Sequence, residues 1–190
     1  MSDAGESDEA LMARYAGGDA AAFTLLYERH EMSTWRYLQR NVGNRATAEE
    51  LLQEVWFAVA RDAARYLPTA RFTTWLFTIA RNRMIDCVRT RGRQVSLESV
   101  DLESGSLVGQ LSTEPSVGPL AAVVVREQAA ALSEAMAQLP REQRDAFLLQ
   151  VEGDLSVEEV ATVMRSSFET TKSRLRYART RLRELLREHA

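Results

Sequence analysis

Residues 71–93 read RFTTWLFTIARNRMIDCVRTRGR, and from Thr74 to Arg91 they contain neither Gly nor Pro, which predicts a single long helix. The residues along one face of that helix, at spacings of four and three, are Trp75, Ile79, Asn82, Asp86 and Arg89. Such a face can stack on bases, read a base edge and hold a phosphate. The alternative is an ordinary core stripe with arginines offsetting the helix dipole, and this stretch alone leaves both interpretations open.

The composition is that of an ordinary soluble globular protein. The chain has 190 residues, of which 45% are hydrophobic and 27% are charged, and this length allows one domain or two small ones. No apolar run approaches the ~20 residues of a membrane span, and the N-terminus is acidic rather than signal-like. We therefore expect a cytoplasmic protein without membrane insertion. We expect no further domain after Ala190, and therefore no sensing built into the chain.

The titratable residues exclude several kinds of site. A single cysteine, Cys87, rules out an internal disulfide framework, and we interpret it as a small core residue rather than a redox sensor. The two histidines, His30 and His189, lie far apart in the sequence, so no zinc set is expected. There is no nucleophile–base pair either. We expect no metal, no cofactor and no enzymatic activity.

The net charge of −3 hides a strong pattern along the chain. Residues 31–93 carry a net charge of +5, residues 94–138 carry −5, and residues 164–187 carry +6. Two basic elements separated by an acidic stretch are the pattern expected of two nucleic-acid contacts joined by a tether.

The first half of the chain is predicted to be helical. Two short helices span residues 7–29 with a break at Gly17–Asp19, and a third spans residues 32–42 and ends at Gly43. Thr47 and Glu50 have the spacing of a capping box, which predicts a helix from there to about residue 64. No segment shows a clear alternation of period two, so the chain is predicted to be all-α.

The helix after Thr47 has two different faces. Its apolar face is formed by Leu51, Leu52, Val55, Trp56 and Val59. Its other face carries Glu50, Gln53, Glu54, Phe57 and Arg61. A solvated surface is the ordinary explanation of such a polar face. Phe57 is the exception, because an exposed aromatic side chain beside carboxylates is typical of a protein-binding surface.

The second half begins with a change in composition. Residues 94–121 are rich in Ser, Gly and Pro without sustained periodicity, which predicts a flexible or extended acidic linker. Helices are then predicted over residues 125–138, 140–151, 156–164 and 168–187. Ser156 with Glu159, and Ser166 with Glu169, have the spacing of capping boxes.

The last two of these helices have the arrangement of a helix-turn-helix, a short helix and a longer basic helix joined by a tight turn. The inward stripe of the last helix is Thr171, Leu175, Ala178, Leu182 and Leu185. The outward positions that would enter a DNA major groove are Thr170, Lys172, Ser173, Arg176 and Tyr177, with Arg174, Arg179, Arg181 and Arg183 available for the DNA backbone. The alternative is a basic helix that only closes a small bundle.

Several motifs in order resemble one family. TAEELLQEVW (47–56), FTTWLFTIARNRMIDCVR (72–89), LPREQRDAFLL (139–149), LSVEEVATVM (155–164) and ETTKSRLRYARTRLR (169–183) resemble a bacterial extracytoplasmic-function (ECF, group 4) sigma factor of the sigma-70 family. The resemblance implies two helical domains, with region 2 at residues 1–93 and region 4 at residues 122–190, joined by the linker at residues 94–121.

The resemblance also implies partners and site residues. Glu50, Gln53 and Glu54, with Phe57 beside them, would bind the clamp helices of the largest subunit of core RNA polymerase. Tyr66, Ile79 and Asn82, on the face that carries Trp75 and Arg89, would capture a flipped base of the −10 element. Lys172, Ser173, Arg176 and Tyr177 would read the −35 element. The polymerase flap region and an anti-sigma factor would be further partners, and the linker would run toward the RNA-exit channel.

Several positions depart from the family pattern, and one departure is the stretch Leu67–Ala70 before Phe72, where the family often has Gly. Arg165 stands where the turn commonly has Gly, and Ser167 and Glu169 stand where Pro and then Gly are common. We expect the Ser166–Glu169 capping box to replace that pre-organisation. Two other classes of function stay open at this point: a helix-turn-helix regulator that acts without polymerase, and a helical adaptor that binds polymerase without touching DNA.

Overall fold

The structure is a computed structural model that describes residues 5–95, 128 and 130–187. The first half contains α1 (Asp8–Ala16), α2 (Ala20–Val42), α3 (Arg45–Asp62), a 3-10 turn (Ala63–Arg65) and α4 (Phe72–Val95). The second half contains α5 (residues 130–137), α6 (Arg141–Glu152), α7 (Val157–Met164) and α8 (Phe168–Arg187). These described residues contain no strand, so the prediction of an all-α chain is confirmed. None of the described helices is both long and apolar enough to cross a membrane.

One helix break was predicted wrongly in the first half. The structure has a single helix, α2, where the sequence predicted one helix up to Arg29 and another from Met32. Residues 28–31 are polar but contain neither Gly nor Pro, so nothing there stops a helix once the apolar residues on either side pack against the core. The predicted breaks at both ends are confirmed: Asp19 caps the start, and Gly43 ends the helix in the left-handed conformation at φ 71°.

The start of α3 also differs from the prediction. Asn44 caps this helix, because its side-chain oxygen accepts a hydrogen bond from the N–H of Thr47 at 3.0 Å. Thr47 lies in the first turn and is buried, so the predicted capping box at Thr47 and Glu50 is wrong. An Asn side chain can accept from the N–H three residues on, as a Thr side chain can, so Asn44 and Thr47 were both candidate caps. The earlier of the two positions is the one used.

The two predicted capping boxes of the second half have different outcomes. The box at Ser156 is confirmed: Ser156 Oγ accepts from the N–H of Glu159 at 3.2 Å, and Glu159 Oε2 accepts from the N–H of Ser156 at 2.8 Å. The box at Ser166 and Glu169 is wrong by one residue. Since α8 begins at Phe168, Ser167 is the cap and accepts from the N–H of Thr170 at 3.1 Å. Ser166 Oγ instead pairs with Thr171 Oγ1 at 2.7 Å.

Helices α1 to α4 form the first domain, in which α3 packs against both α2 and α4. All five residues of the predicted apolar face of α3 are buried. Phe72 and Leu76 on α4 and Leu26 and Leu38 on α2 fill the same core and are fully buried. The packing against α2 and α3 therefore buries one side of α4.

Helices α6, α7 and α8 form the second domain, and all five residues of the predicted inward stripe of α8 are buried. Arg165, between α7 and α8, has φ 51° and ψ 45°. This left-handed conformation is the reason Gly is favoured in such turns, and Arg165 adopts it at some energetic cost. The sharp turn brings α8 across α7 and gives the helix-turn-helix its shape.

The two domains pack against each other, with α6 on α2 and α7 on α4. Their buried residues form one continuous apolar cluster. Gln94 and Val95 belong to α4, and the remainder of the predicted linker, residues 96–121, lies outside the described residues.

Candidate nucleic-acid and polymerase interfaces

A cluster of aromatic rings lies at the start of α4. The rings of Tyr66 and Trp75 lie 5.0 Å apart between centroids, and Phe72 contacts both, at 6.3 Å from Tyr66 and 6.0 Å from Trp75. Phe72 is buried, whereas Tyr66 and Trp75 are half-buried. The two outer rings therefore present an apolar wall at the surface, held in place by the ring beneath them.

The hydroxyl group of Tyr66 is a polar atom within this wall. It is buried and has no hydrogen-bond partner among the described residues. Burial, with the nearby carboxylates of Glu9 and Asp8, raises the pKa of Tyr66 to about 12. The hydroxyl therefore stays protonated at neutral pH and is a donor that lacks an acceptor in this structure.

Helix α1 holds the start of α4, which the sequence alone did not indicate. Glu9 Oε1 accepts a hydrogen bond from the backbone N–H of Phe72 at 2.7 Å and so caps α4 from a distant part of the chain. The neighbouring carboxylate of Asp8 contacts His30 Nε2 at 2.7 Å and Arg29 Nη1 at 2.9 Å. The pKa of Asp8 is lowered, chiefly by the hydrogen bond with His30. In the sequence, only the acidic character of the N-terminus could have indicated these contacts.

The rest of the predicted face of α4 continues away from the rings. Ile79 is half-buried and packs against the core, and Asn82 is exposed one turn further on. Asp86 and Arg89 are both exposed and form an ion pair at 3.1 Å along the helix. The structure thus brings the ring wall, the amide and the guanidinium onto one open surface in the predicted order.

The polar face of α3 is exposed along its whole length. Phe57 is 76% exposed, which is unusual for a phenylalanine and leaves its ring free to be buried by a partner. Glu50, Gln53 and Glu54 are exposed beside it. Glu54 lies 3.9 Å from Arg83 on α4, and a groove of about 350 Å³ runs between the two helices. The residues that line the groove are Thr47, Glu50, Leu51, Glu54, Arg83, Asp86, Cys87 and Thr90.

Helix α8 presents a cationic surface. Thr170, Lys172, Arg176 and Tyr177 are exposed, and Ser173 is half-buried. The guanidinium carbon of Arg176 lies 5.0 Å from the centroid of the Tyr177 ring, and Lys172 Nζ lies 5.8 Å from the centroid of Phe168. Stacking on a ring restricts the rotamers of a long cationic side chain, which lowers the entropic cost of ordering it on a ligand.

Two arginines of α8 point to the neighbouring helix instead. Arg174 is half-buried and forms an ion pair with Glu142 on α6, and Arg179 Nη2 donates to Gln150 Oε1 at 2.6 Å. In this structure both side chains therefore connect α8 to α6. Among the described residues, no group of three or more His, Cys, Asp and Glu side chains could hold a metal ion.

An all-helical chain with a basic helix-turn-helix in one domain, and an aromatic and polar surface in another, has the features of a DNA-binding protein. Residues 26–94 match sigma-70 region 2, and residues 129–182 match sigma-70 region 4. The chain belongs to the sigma-70 family of RNA polymerase sigma factors, the proteins that direct polymerase to initiate transcription.

The similarity to known sigma factors covers nearly the whole chain. The ECF RNA polymerase sigma factor SigL of Mycobacterium tuberculosis is 34% identical over 181 residues, which are 93% of this chain and 97% of SigL. The RNA polymerase sigma-H factor of Pseudomonas aeruginosa is 30% identical over 188 residues, which are 96% of this chain and 97% of that protein.

Two solved structures are similar to the fold. The sigma factor RpoE from Bartonella quintana, solved in complex with the anti-sigma factor NepR, has a TM-score of 0.71 and 25% identity over 87% of this chain and 96% of its own. CnrH, solved in complex with the cytosolic domain of CnrY, has a TM-score of 0.68 and 21% identity, and it covers 97% of this chain and 100% of its own. The second of these similarities concerns the fold alone.

Proposed function

We propose that this sigma factor is a group 4 ECF member that reads the −35 element as duplex through α8 and opens the −10 element through α4. The observation that carries the proposal is the pair of open surfaces on separate domains. One is a cationic helix face for the major groove, and the other is a ring wall with an amide for an unpaired base. Region 2 is taken as residues 1–93, the linker as 94–121 and region 4 as 122–190.

The −10 surface has the chemistry that a flipped base needs. Tyr66 and Trp75 supply a wall on which a base can stack, Ile79 extends it, and Asn82 offers an amide to the polar edge. The hydroxyl of Tyr66 is buried without a partner among the described residues, so it can donate to a base only if its ring shifts. Extruding a base costs a few kcal/mol, which stacking and these hydrogen bonds offset. Arg89, exposed at the far end of the face, holds a phosphate.

The −35 surface consists of residues near the start of α8. Lys172 and Arg176 contact guanine edges, while Thr170, Ser173 and Tyr177 contact bases or phosphates. Arg174 is a weaker candidate for a DNA contact, because it is already paired with Glu142. It positions α8 and reaches the DNA backbone only if that pair opens.

Core polymerase binds the α3 surface of Glu50, Gln53, Glu54 and Phe57, through the clamp helices of its largest subunit. The exposed phenylalanine supplies apolar area and the carboxylates supply charge complementarity to a basic partner. The polymerase flap region is a second contact for region 4. The chain acts in the cytoplasm and catalyses no reaction of its own.

An anti-sigma factor is a further proposed partner. The similar RpoE structure was solved as a complex with the anti-sigma factor NepR, and it covers 87% of this chain. We infer that a protein of this type holds the chain inactive until a signal releases it.

Single-round transcription with core polymerase and a library of promoter fragments tests the proposal. Specific starts that depend on the chain are expected. Polymerase binding without specific starts would favour the adaptor function. Specific duplex binding in the absence of any polymerase effect would favour a regulator that acts alone.

A further inference from the structure

The turn between α7 and α8 contains a residue in an unfavourable backbone conformation. Arg165 has φ 51° and ψ 45°, in the left-handed region that glycine adopts freely and that residues with a side chain rarely adopt. Within the described residues, Asp154 at φ 49° is the only other non-glycine residue with a positive φ. A short polar residue such as Asp tolerates this region better than a long side chain does. Glycine would form the same turn at a lower energetic cost, so the turn itself does not explain the arginine.

Hydrogen bonds fix the backbone around Arg165. Its N–H donates to the carbonyl oxygen of Thr162 at 3.1 Å, and the N–H of Ser166 donates to the carbonyl oxygen of Ala161 at 3.0 Å. These bonds close the C-terminus of α7. Ser166 Oγ also pairs with Thr171 Oγ1 at 2.7 Å, which connects the turn to the first part of α8. The side chain of Arg165 therefore extends from a point that is fixed relative to the −35 surface.

The side chain of Arg165 is exposed, and its guanidinium makes no hydrogen bond or ion pair with any of the described residues. The nearest carboxylates along the chain are those of Glu159 and Glu169. Glu159 contacts α4 instead, and Glu169 is exposed on the first turn of α8. Arg174 and Arg179 differ from Arg165, because both are already bound to α6. The guanidinium of Arg165 is therefore available to an anionic ligand.

The position of Arg165 in the helix-turn-helix suits a contact with a DNA phosphate. Phe168, where α8 begins, is three residues further on, so the Cα atoms of the two residues lie within about 11 Å of each other. The first residues of the second helix are the ones that enter the major groove, and the phosphates of the two strands border that groove. A cation just outside the start of α8 therefore meets the DNA backbone. The planar guanidinium can donate two hydrogen bonds to one phosphate.

We propose that Arg165 binds a DNA phosphate at the edge of the −35 element and anchors the helix-turn-helix there while Lys172 and Arg176 read the bases. The inference rests on the proposed function, because it adds a contact to the same surface. Phosphate contacts fix the register and orientation of a protein on the duplex without selecting a sequence. Arg165 therefore contributes affinity and salt dependence to DNA binding, and it contributes no base preference.

The variant Arg165→Gly tests the inference, because it relieves the backbone strain and removes the cation at the same time. The full chain should unfold at the same temperature as the wild type or at a higher one. The holoenzyme assembled from this chain and core polymerase should nevertheless bind a duplex with the −35 element about two- to fivefold more weakly. A lower unfolding temperature would mean that the side chain supports the fold, and it would overturn the premise that the guanidinium is available to DNA.

Titrations of the duplex at several salt concentrations identify the kind of contact. For Arg165→Gly, the slope of log affinity against log salt concentration should become less steep by about one, the value for one phosphate contact, on every −35 sequence tested. Arg165→Lys keeps the charge and should keep the wild-type slope. Asp154→Gly is the matched control for strain, because it relieves the positive φ of an exposed residue in the same domain without removing a cation. It should bind the duplex as the wild type does.

The outcomes separate this inference from the proposed function. A wild-type affinity and salt slope for Arg165→Gly would overturn the phosphate contact and leave the proposed function intact. A loss of affinity on some −35 sequences only would also overturn it, because such a loss indicates base reading. If the wild-type holoenzyme selects no −35 sequence at all, the proposed function fails, and the inference fails with it.

Discussion

At the residue scale, Asn82 differs from its neighbours on α4 because it is exposed while the wall beside it is half-buried. A residue in that position can touch a base without contributing to the core. Replacing Asn82 with Ala should therefore leave the fold unchanged and slow promoter opening by up to about tenfold, the value of one hydrogen bond. Transcription from a promoter with a pre-melted −10 element should recover. The comparison of intact and pre-melted templates is the measurement, and equal defects on both would contradict a role in opening.

Arg176 is the residue whose replacement should alter sequence preference. It is exposed and stacked on Tyr177, so its guanidinium is presented to a ligand in a restricted geometry. Arg176→Ala should weaken the binding free energy for the −35 element by about 1–3 kcal/mol, which is about 5–150-fold in affinity. It should also relax the sequence preference at one position of that element. Binding to a randomised −35 library measures this. Arg183→Ala, further along the same helix, should instead weaken binding to all DNA sequences equally. The same uniform loss for Arg176→Ala would make Arg176 a phosphate contact.

At the element scale, α3 is the helix whose outer face is exposed and carries the exposed ring of Phe57. Glu54→Arg should weaken binding to core polymerase about tenfold or more, because a like charge placed in an interface costs several kcal/mol. Glu28→Arg makes the same charge change at an exposed site on α2 and should bind normally. Titration of labelled protein with core polymerase compares the two variants, and equal affinities would remove this face from the interface.

Helix α7 gives a prediction about pH. Burial raises the pKa of Glu159, but hydrogen bonds from Ser156 and Thr74 lower this pKa by a larger amount. The net pKa of Glu159 is therefore below the usual 4.5. The ionised carboxylate therefore stabilises the folded state at a pH above the usual pKa of 4.5. This contribution to stability is lost as the pH falls through the lower pKa of the folded state. Denaturant unfolding at pH 7 and pH 4 should show a smaller acid-induced loss of stability for Glu159→Gln than for Glu158→Gln. Equal losses would mean that Glu159 does not contribute.

The sequence predicted the elements better than their ends. The apolar faces of α3 and α8 follow directly from the helical period, and every predicted member of both is buried. Capping residues were harder to predict, because polar residues able to cap a helix occur at more than one position near each helix start. Asn44 and Ser167 are used where Thr47 and Ser166 were expected. The break expected between Arg29 and Met32 is absent because polarity alone does not end a helix.

At the scale of the whole molecule, the sequence could not show how the parts meet. Glu9 caps α4 from 63 residues away, and Tyr37 reaches Asp145 across 108 residues, and no local pattern encodes either contact. The exposure of the proposed site residues could be anticipated from helix faces, but the pairing of Arg174 with Glu142 could not. These long-range contacts pack the two domains against each other.

The central claim is that one chain reads two separated promoter elements through two different domains. The most direct measurement is sequencing of single-round transcripts made by core polymerase on one promoter library with the wild-type chain, Asn82→Ala and Arg176→Ala. The wild type should select two elements near −35 and −10. Arg176→Ala should change only the upstream preference, and Asn82→Ala should act only downstream. If both variants alter the same element, or if the wild type selects only one, the assignment of the two surfaces is wrong.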